Sequence, residues 1–314
     1  MSPAPLTILL AGPRGFCAGV ERAVQMVERS IERFGAPVYV RHQIVHNRFV
    51  VAALERQGAV FVDELDRVPD GAPVLFSAHG VPKAVAQEAA RRRLVAIDAT
   101  CPLVSKVHHE AERHFDQGRR VVLIGHAGHP EVIGTMGQLP PGAVLLVETP
   151  ADIDRLPIGA TDEVAYVTQT TLSLEDTAAM IAALRARFPR LHGPAHEDIC
   201  YATTNRQRAV TAIARRADRV LVVGAGNSSN AQRLVEVARR SGCPAARLIA
   251  CAAEIDWDFL AGAHRLGLTA GASTPEKLVE DVVGSCRSRY AVTIEEVTVT
   301  RETTHFNLPR ALEA

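Results

Sequence analysis

Pro13-Arg14-Gly15-Phe16-Cys17-Ala18-Gly19-Val20 is the stretch on which the reading of this chain turns. Ahead of it runs Leu6-Thr7-Ile8-Leu9-Leu10-Ala11, an apolar segment of strand character. Behind it Val20, Ala23, Val24, Val27 and Ile31 recur at helical spacing. Cys17 therefore occupies a strand-to-helix turn, where the helix dipole and the free N–H groups favour a thiolate. The arrangement returns at Cys101, with Leu94-Val95-Ala96-Ile97 before it and Val104, Val107 and Ala111 after it. It returns again at Cys200, followed by Ala209, Val210 and Ile213. Three cysteines in equivalent turns point to one shared site.

The segments between these turns alternate apolar strand runs with helical patterns, which predicts an α/β fold with parallel sheets. Residues 1–98 form a first block with strands near Val38-Tyr39-Val40, Ala59 to Val62 and Val74-Leu75-Phe76, and helices over Arg48 to Gln57 and from Lys83. Residues 99–196 form a second, with strands at Val121 to Ile124, Val144 to Val147 and Val164 to Val167 and a helix from Glu175 to Arg187. Residues 197–290 form a third, with Val220 to Val223, Arg247 to Ala250 and Leu266 to Thr269 as strands. A tail, 291–314, reads as one or two further strands. The blocks keep a common rhythm: Cys17 to His46, Cys101 to His129 and Cys200 to Ser228 span 29, 28 and 28 positions, and a further polar loop follows at His79, Thr170 and Ser273. Internal repetition is the simplest account. Ligands of open parallel sheets gather beyond the carboxyl ends of the strands, so three such units facing one another surround a single pocket with polar loops.

Composition excludes several classes. The 314 residues are 47% hydrophobic and 22% charged with no net charge, as in a globular protein that has no bulk attraction to nucleic acid or acidic membranes. No apolar run approaches the roughly 20 residues that a membrane span requires. No charged n-region with an apolar h-region opens the sequence, so a cytoplasmic location with reduced thiols is expected. Six cysteines are too few for a disulfide scaffold. Those in matching turns are candidates for metal ligands, whereas Cys243, Cys251 and Cys286 lack that setting and read as packing residues.

Three thiolates with one position left open admit a zinc site completed by water, although no C-x₂-C pair is present. They equally admit a [4Fe–4S] cluster, which suits widely spaced soft ligands. His46, His79 and His129 stand in loops suited to an anionic ligand. Gly224 to Asn230 supplies small residues, hydroxyls and N–H groups ahead of a helix, as phosphate binding requires. It is neither a Walker loop nor a G-x-G-x-x-G fingerprint. Glu131, two residues from His129, can serve as a general acid if burial raises its pKa; the other reading is an exposed carboxylate at a helix N-terminus.

Together the stretches PRGFCAGVERAV, YVRHQIVHNRFVV, FSAHGVP, DATCPLVSKVH, LIGHAGHPEVIGTMGQ, TQTTLS, DICYATTNRQ, GNSSN and TAGASTP resemble the 4-hydroxy-3-methylbut-2-enyl diphosphate reductase (IspH/LytB) family. The likeness covers nearly the whole chain, ends near residue 290 and is loose in the tail. Ala231 stands where the family often has serine. The resemblance implies three α/β domains in pseudo-threefold arrangement around a central [4Fe–4S] cluster held by Cys17, Cys101 and Cys200, with one iron open. It implies His46, His79, His129, Ser228, Ser229, Asn230 and Ser273 around the substrate diphosphate. Glu131 is the implied proton source, and Thr170, with Thr171, the implied partner of the substrate hydroxyl or a water. The implied reaction removes the allylic hydroxyl with two electrons and yields isopentenyl and dimethylallyl diphosphate, the last step of the methylerythritol phosphate route. No nucleotide-binding motif is evident, so the expected donor is a protein of ferredoxin or flavodoxin type. A cluster-dependent dehydratase, an iron–sulfur metabolite sensor and a zinc-stabilised sugar-phosphate-binding protein are the rival readings; electron demand separates the first, no DNA-binding appendage supports the second, and the third would be colourless and lack acid-labile sulfide.

Overall fold

Nearly every predicted strand is a short run of Val, Ile and Leu, the pattern of a parallel strand covered on both faces. A computed structural model describes residues 3–159 and 161–312. Positions 1, 2, 160, 313 and 314, at the edges of the first block and the tail and within the second block, lie outside the described residues. Among the described residues thirteen strands form three sheets, and every strand pairing is parallel.

In chain order the strands are β1 (Ala4–Gly12), β2 (Val38–Arg41), β3 (Ala59–Val62), β4 (Pro73–Phe76), β5 (Val95–Asp98), β6 (Arg120–Ile124), β7 (Val144–Val147), β8 (Val164–Thr168), β9 (Leu191–His192), β10 (Arg219–Val223), β11 (Ala246–Ile249), β12 (Arg265–Ala270) and β13 (Tyr290–Thr298). The sheets run β3-β2-β4-β5, β7-β6-β8-β9 and β11-β10-β12-β1-β13. The expected α/β class with parallel sheets is what the structure has.

One assignment differs from the sequence blocks. β1 does not join the strands of residues 1–98; it lies between β12 and β13 in the third sheet. Its pairing with β13 is in register from Ala4–Tyr290 to Gly12–Thr298. Of the one or two strands expected of the tail, the described residues contain one, β13. The physical reason is that β1 is apolar on both faces, and the inner position of a five-stranded sheet is where such a strand loses most contact with water. β13 alternates half-buried and exposed residues, as an edge strand does.

By contacts the chain divides into two compact units. The first comprises residues 1–18, 46–48 and 201–305 and contains the five-stranded sheet. Its core sets Leu9 and Ala11 against Val210, Ile213, Val220, Val222 and Leu234. The second comprises residues 19–45, 49–200 and 306–314 and contains both four-stranded sheets. One of its cores joins Val122, Ile124, Val164, Tyr166 and Leu184, another Val62, Val74, Phe76 and Leu94. Cys243 and Cys286 are buried packing residues as expected, while Cys251 is half-buried beside the short turn Ala252–Glu254.

Candidate active site

Each of the three singled-out cysteines precedes a long helix: Cys17 the helix Ala18–Phe34, Cys101 the helix Pro102–Asp116 and Cys200 the helix Tyr201–Ala214. All three are partly exposed, unlike Cys243 and Cys286. Thiol donors at helix N-termini fit an electron-accepting group that prefers soft anionic ligands. Among the described residues no three His, Cys, Asp or Glu side chains form a group that could hold a single ion. An iron–sulfur cluster takes one thiolate per iron, so its ligands need not converge on one point.

In the first unit the Cys17 turn is held by backbone bonds. The Gly15 N–H donates to the Ala270 carbonyl and the Cys17 N–H to that of Ala272, both at 3.3 Å. Gly15 has a φ of +66°, a conformation that side chains with a Cβ rarely adopt. Around the strand ends of the same sheet stand His46, Ser228, Asn230 and Ser273. Ser273 Oγ donates to the His46 carbonyl at 3.0 Å, and the Asn227 amide lies 3.4 Å from His46 Nδ1. Asn230 Oδ1 accepts the Ala272 N–H at 2.9 Å. Ser228 caps the helix Ser229–Arg240, accepting the Ala231 N–H. Burial lowers His46 to about 4, so its ring is neutral near pH 7 and offers a hydrogen bond rather than a charge. The sequence blocks grouped His46 with His79, but its segment belongs to the unit of the Gly224–Asn230 loop. Hydroxyls, amides and a helix N-terminus in one place suit a phosphate oxygen.

In the second unit the groups follow one another in a chain of contacts. Ser77 Oγ lies 3.3 Å from His79 Nδ1, and the His79 ring meets the His129 ring edge-on with centroids 5.9 Å apart. His129 caps the helix Pro130–Met136, its Nδ1 accepting the Glu131 N–H at 3.2 Å. Glu131 is 2% exposed, so the reading as an exposed carboxylate at a helix end is set aside. Its Oε1 accepts the Thr170 N–H at 2.6 Å and its Oε2 accepts the Thr170 hydroxyl at 3.1 Å. Desolvation raises the carboxyl to about 7 against the opposing pull of those two bonds. The Thr170 carbonyl accepts the Cys200 N–H at 3.1 Å, which ties the acid to one of the three cysteine turns. Cys101 donates its N–H to the Ala78 carbonyl at 2.9 Å, beside His79. Thr171 accepts a bond from Gln169 Nε2 at 2.9 Å.

Close backbone approach makes this possible. A Cβ on Gly134 stands 3.2 Å from the Gly80 carbonyl carbon, so the helix bearing Glu131 presses directly on the loop bearing His79. Gly80, at φ +81°, leaves room for the His108 ring, which a Cβ there approaches to 2.6 Å. His108, not among the residues singled out from the sequence, is buried beneath the His79 loop, and desolvation lowers it to about 4. Its signal was available: it shares the helix face of Val104, Val107 and Ala111. Gln169 was also missed; its Oε1 accepts the His126 N–H at 3.1 Å and shapes the loop before His129. Tyr201, adjacent to Cys200, accepts the Ala18 N–H at 3.4 Å, and burial, then the nearby Cys17, raises its phenol to about 12.

Fold and site define an α/β protein of three parallel sheets with thiols at helix N-termini, a phosphate-suited loop and a buried acid. The family model described as "LytB protein" matches residues 8–287, and the chain belongs to that family. A 4-hydroxy-3-methylbut-2-enyl diphosphate reductase of Paracoccus denitrificans is 61% identical over 308 residues, covering 98% of each chain. The protein of that name from Cereibacter sphaeroides is 59% identical over 312 residues, covering 99% of this chain and 98% of the relative. Among solved structures, the E-1-hydroxy-2-methyl-but-2-enyl-4-diphosphate reductase of Plasmodium falciparum superposes with a TM-score of 0.93 at 37% identity, covering 99% of this chain and 97% of that one. Another, described as the terminal enzyme of the non-mevalonate pathway, gives 0.65 at 32% identity, covering 90% and 99%. No helix among the described residues is long and apolar enough to cross a membrane.

Proposed function

We infer that the chain reduces (E)-4-hydroxy-3-methylbut-2-enyl diphosphate to isopentenyl and dimethylallyl diphosphate. The observation that carries the reading is the buried Glu131–Thr170 pair, bonded through both carboxylate oxygens and joined by the Thr170 carbonyl to the Cys200 turn. Substrate, two electrons and two protons give product and water: the allylic carbon–oxygen bond breaks, the hydroxyl leaves as water, and a C–H bond forms. Cys17, Cys101 and Cys200 would hold a [4Fe–4S] cluster, which when bound would supply Lewis-acid activation of the hydroxyl and relay the two electrons.

The chain's own residues do the rest. Ser228, Ser229, Asn230, Ser273 and His46 bind the diphosphate with hydrogen bonds, and the family resemblance gives His79 and His129 the same role. Glu131 holds a proton near neutral pH and releases it to the departing hydroxyl. Thr170 orients that carboxyl and, with Thr171, the hydroxyl or a water. The electrons come from a ferredoxin- or flavodoxin-type protein, and the three thiols call for a reducing compartment, which we take to be the cytoplasm.

The test is anaerobic turnover of the hydroxymethylbutenyl diphosphate after iron and sulfide reconstitution, with a reduced viologen dye as donor. Dye oxidation with both isoprenoid diphosphates appearing is the expected result. A fully loaded cluster that consumes no dye overturns the reading in favour of a dehydratase or a sensor.

A further inference from the structure

The largest fully buried side chain of the described residues is a charged one, Arg206, at 0% exposure. It lies on the helix Tyr201–Ala214. Its Nε and Nη2 donate to the Gly15 carbonyl at 3.1 and 2.8 Å, and Nη2 also to the Phe16 carbonyl at 3.0 Å. These are the two carbonyls immediately before Cys17. Immediately after Cys17, the Ala18 N–H donates to the hydroxyl of Tyr201, on the same helix. Both sides of the cysteine are thus gripped from one helix.

Each grip is closed by the chain's tail. Glu302 receives Arg206 Nη1 at 3.0 Å, with further bonds at 3.3 Å and another from the Asn205 amide at 3.0 Å. Thr304 hydrogen-bonds the Tyr201 hydroxyl. β13 delivers the tail to this place because it runs parallel to β1, and the Val299 N–H reaches the Gly12 carbonyl at 2.9 Å as both strands end. A guanidinium is not buried without a carboxylate to meet it. Apart from the bond of Arg206 Nη1 to the Ala202 carbonyl of its own helix, these contacts surround one cysteine turn. Glu302 and Thr304 also lie beyond the residues that the family model matches.

We propose that Glu302 and Thr304 form a latch that, through the positioning residues Arg206 and Tyr201, holds the Cys17 turn in its ligating shape and so sets how tightly the cluster is retained. The proposal rests on the iron–sulfur reading above. Its test is the rate at which anaerobically reconstituted full-length protein releases iron to a ferrous chelator, followed with the loss of visible cluster absorbance. Glu302→Ala and Tyr201→Phe release iron at least tenfold faster than the wild type, and Glu302→Asp restores most of the retention. Tyr201→Phe keeps the ring and its packing, so it decides the matter even if Glu302→Ala fails to fold. Arg92→Ala serves as control, since Arg92 clamps the Val68 carbonyl and Asp70 in the loop between β3 and β4, in the second unit. It lowers thermal stability without changing iron release. Wild-type release rates in Tyr201→Phe, or equal acceleration in Arg92→Ala, overturn the latch alone. A wild type that takes up no iron and sulfide overturns the cluster reading and the latch with it.

Discussion

Replacing Glu131 by glutamine is expected to stabilise the folded chain above neutral pH while abolishing most of its turnover. The carboxyl is held at about 7 rather than its ordinary 4.5, because burial disfavours the anion by more than the two Thr170 bonds favour it. That difference corresponds to about 3 kcal/mol. Between pH 4.5 and 7 the unfolded chain has lost the proton while the folded chain keeps it. Folded stability from this group therefore falls as pH rises through that window and is level above it. Glutamine does not titrate, and its amide can accept the Thr170 N–H and donate to the Thr170 hydroxyl. The gap in unfolding free energy between Glu131→Gln and wild type should accordingly widen by about 3 kcal/mol from pH 4.5 to pH 8. Urea unfolding of the metal-free proteins at four or five pH values measures it, since groups common to both chains cancel in the difference. Turnover of the reconstituted variant should drop by about 10²–10⁴ with cluster content unchanged. A gap that stays constant across the window would refute the argument, because the carboxyl then titrates normally and is no reservoir of a proton at neutral pH.

Thr170→Val removes the hydroxyl bond to Oε2 and leaves the N–H bond, so the carboxyl rises above 7. The alkaline limb of the pH–rate profile should move upward while the rate at neutrality falls about tenfold. Cys17→Ser should lose the intact cluster and turnover together, checked by iron and acid-labile sulfide analysis; unchanged iron content removes Cys17 as a ligand. Gly134→Ala sets a Cβ 3.2 Å from Gly80 backbone, which has no flexible end to swing away. It should cost about 1–3 kcal/mol in urea unfolding and depress turnover by parting His79 from Glu131, and a variant with wild-type stability and rate contradicts that packing.

Much of this molecule was legible in one dimension. The strand runs from β2 to β12 were readable, the two-residue β9 excepted, because a parallel strand buried on both faces is a continuous apolar run. The cysteine turns were readable because each sits where such a run passes into helical spacing. The sequence also presented Glu131 as a carboxylate near a histidine in an apolar neighbourhood. Only the folded chain shows both its oxygens on Thr170 and water excluded, and those determine its proton affinity. Arg206 lies in the DICYATTNRQ stretch, but nothing there marked its burial: an arginine on a helix is ordinarily a surface residue, and nothing within a few positions of it names Gly15, Phe16 or Glu302 as partners. The partners of β1 were equally silent. Side-chain pattern records which faces of a strand are dry, but not which strand lies alongside, since backbone hydrogen bonds look the same in any pairing. Local chemistry was thus written in the residues, whereas neighbours distant along the chain, and the burial they impose on a charge, were settled only by tertiary packing.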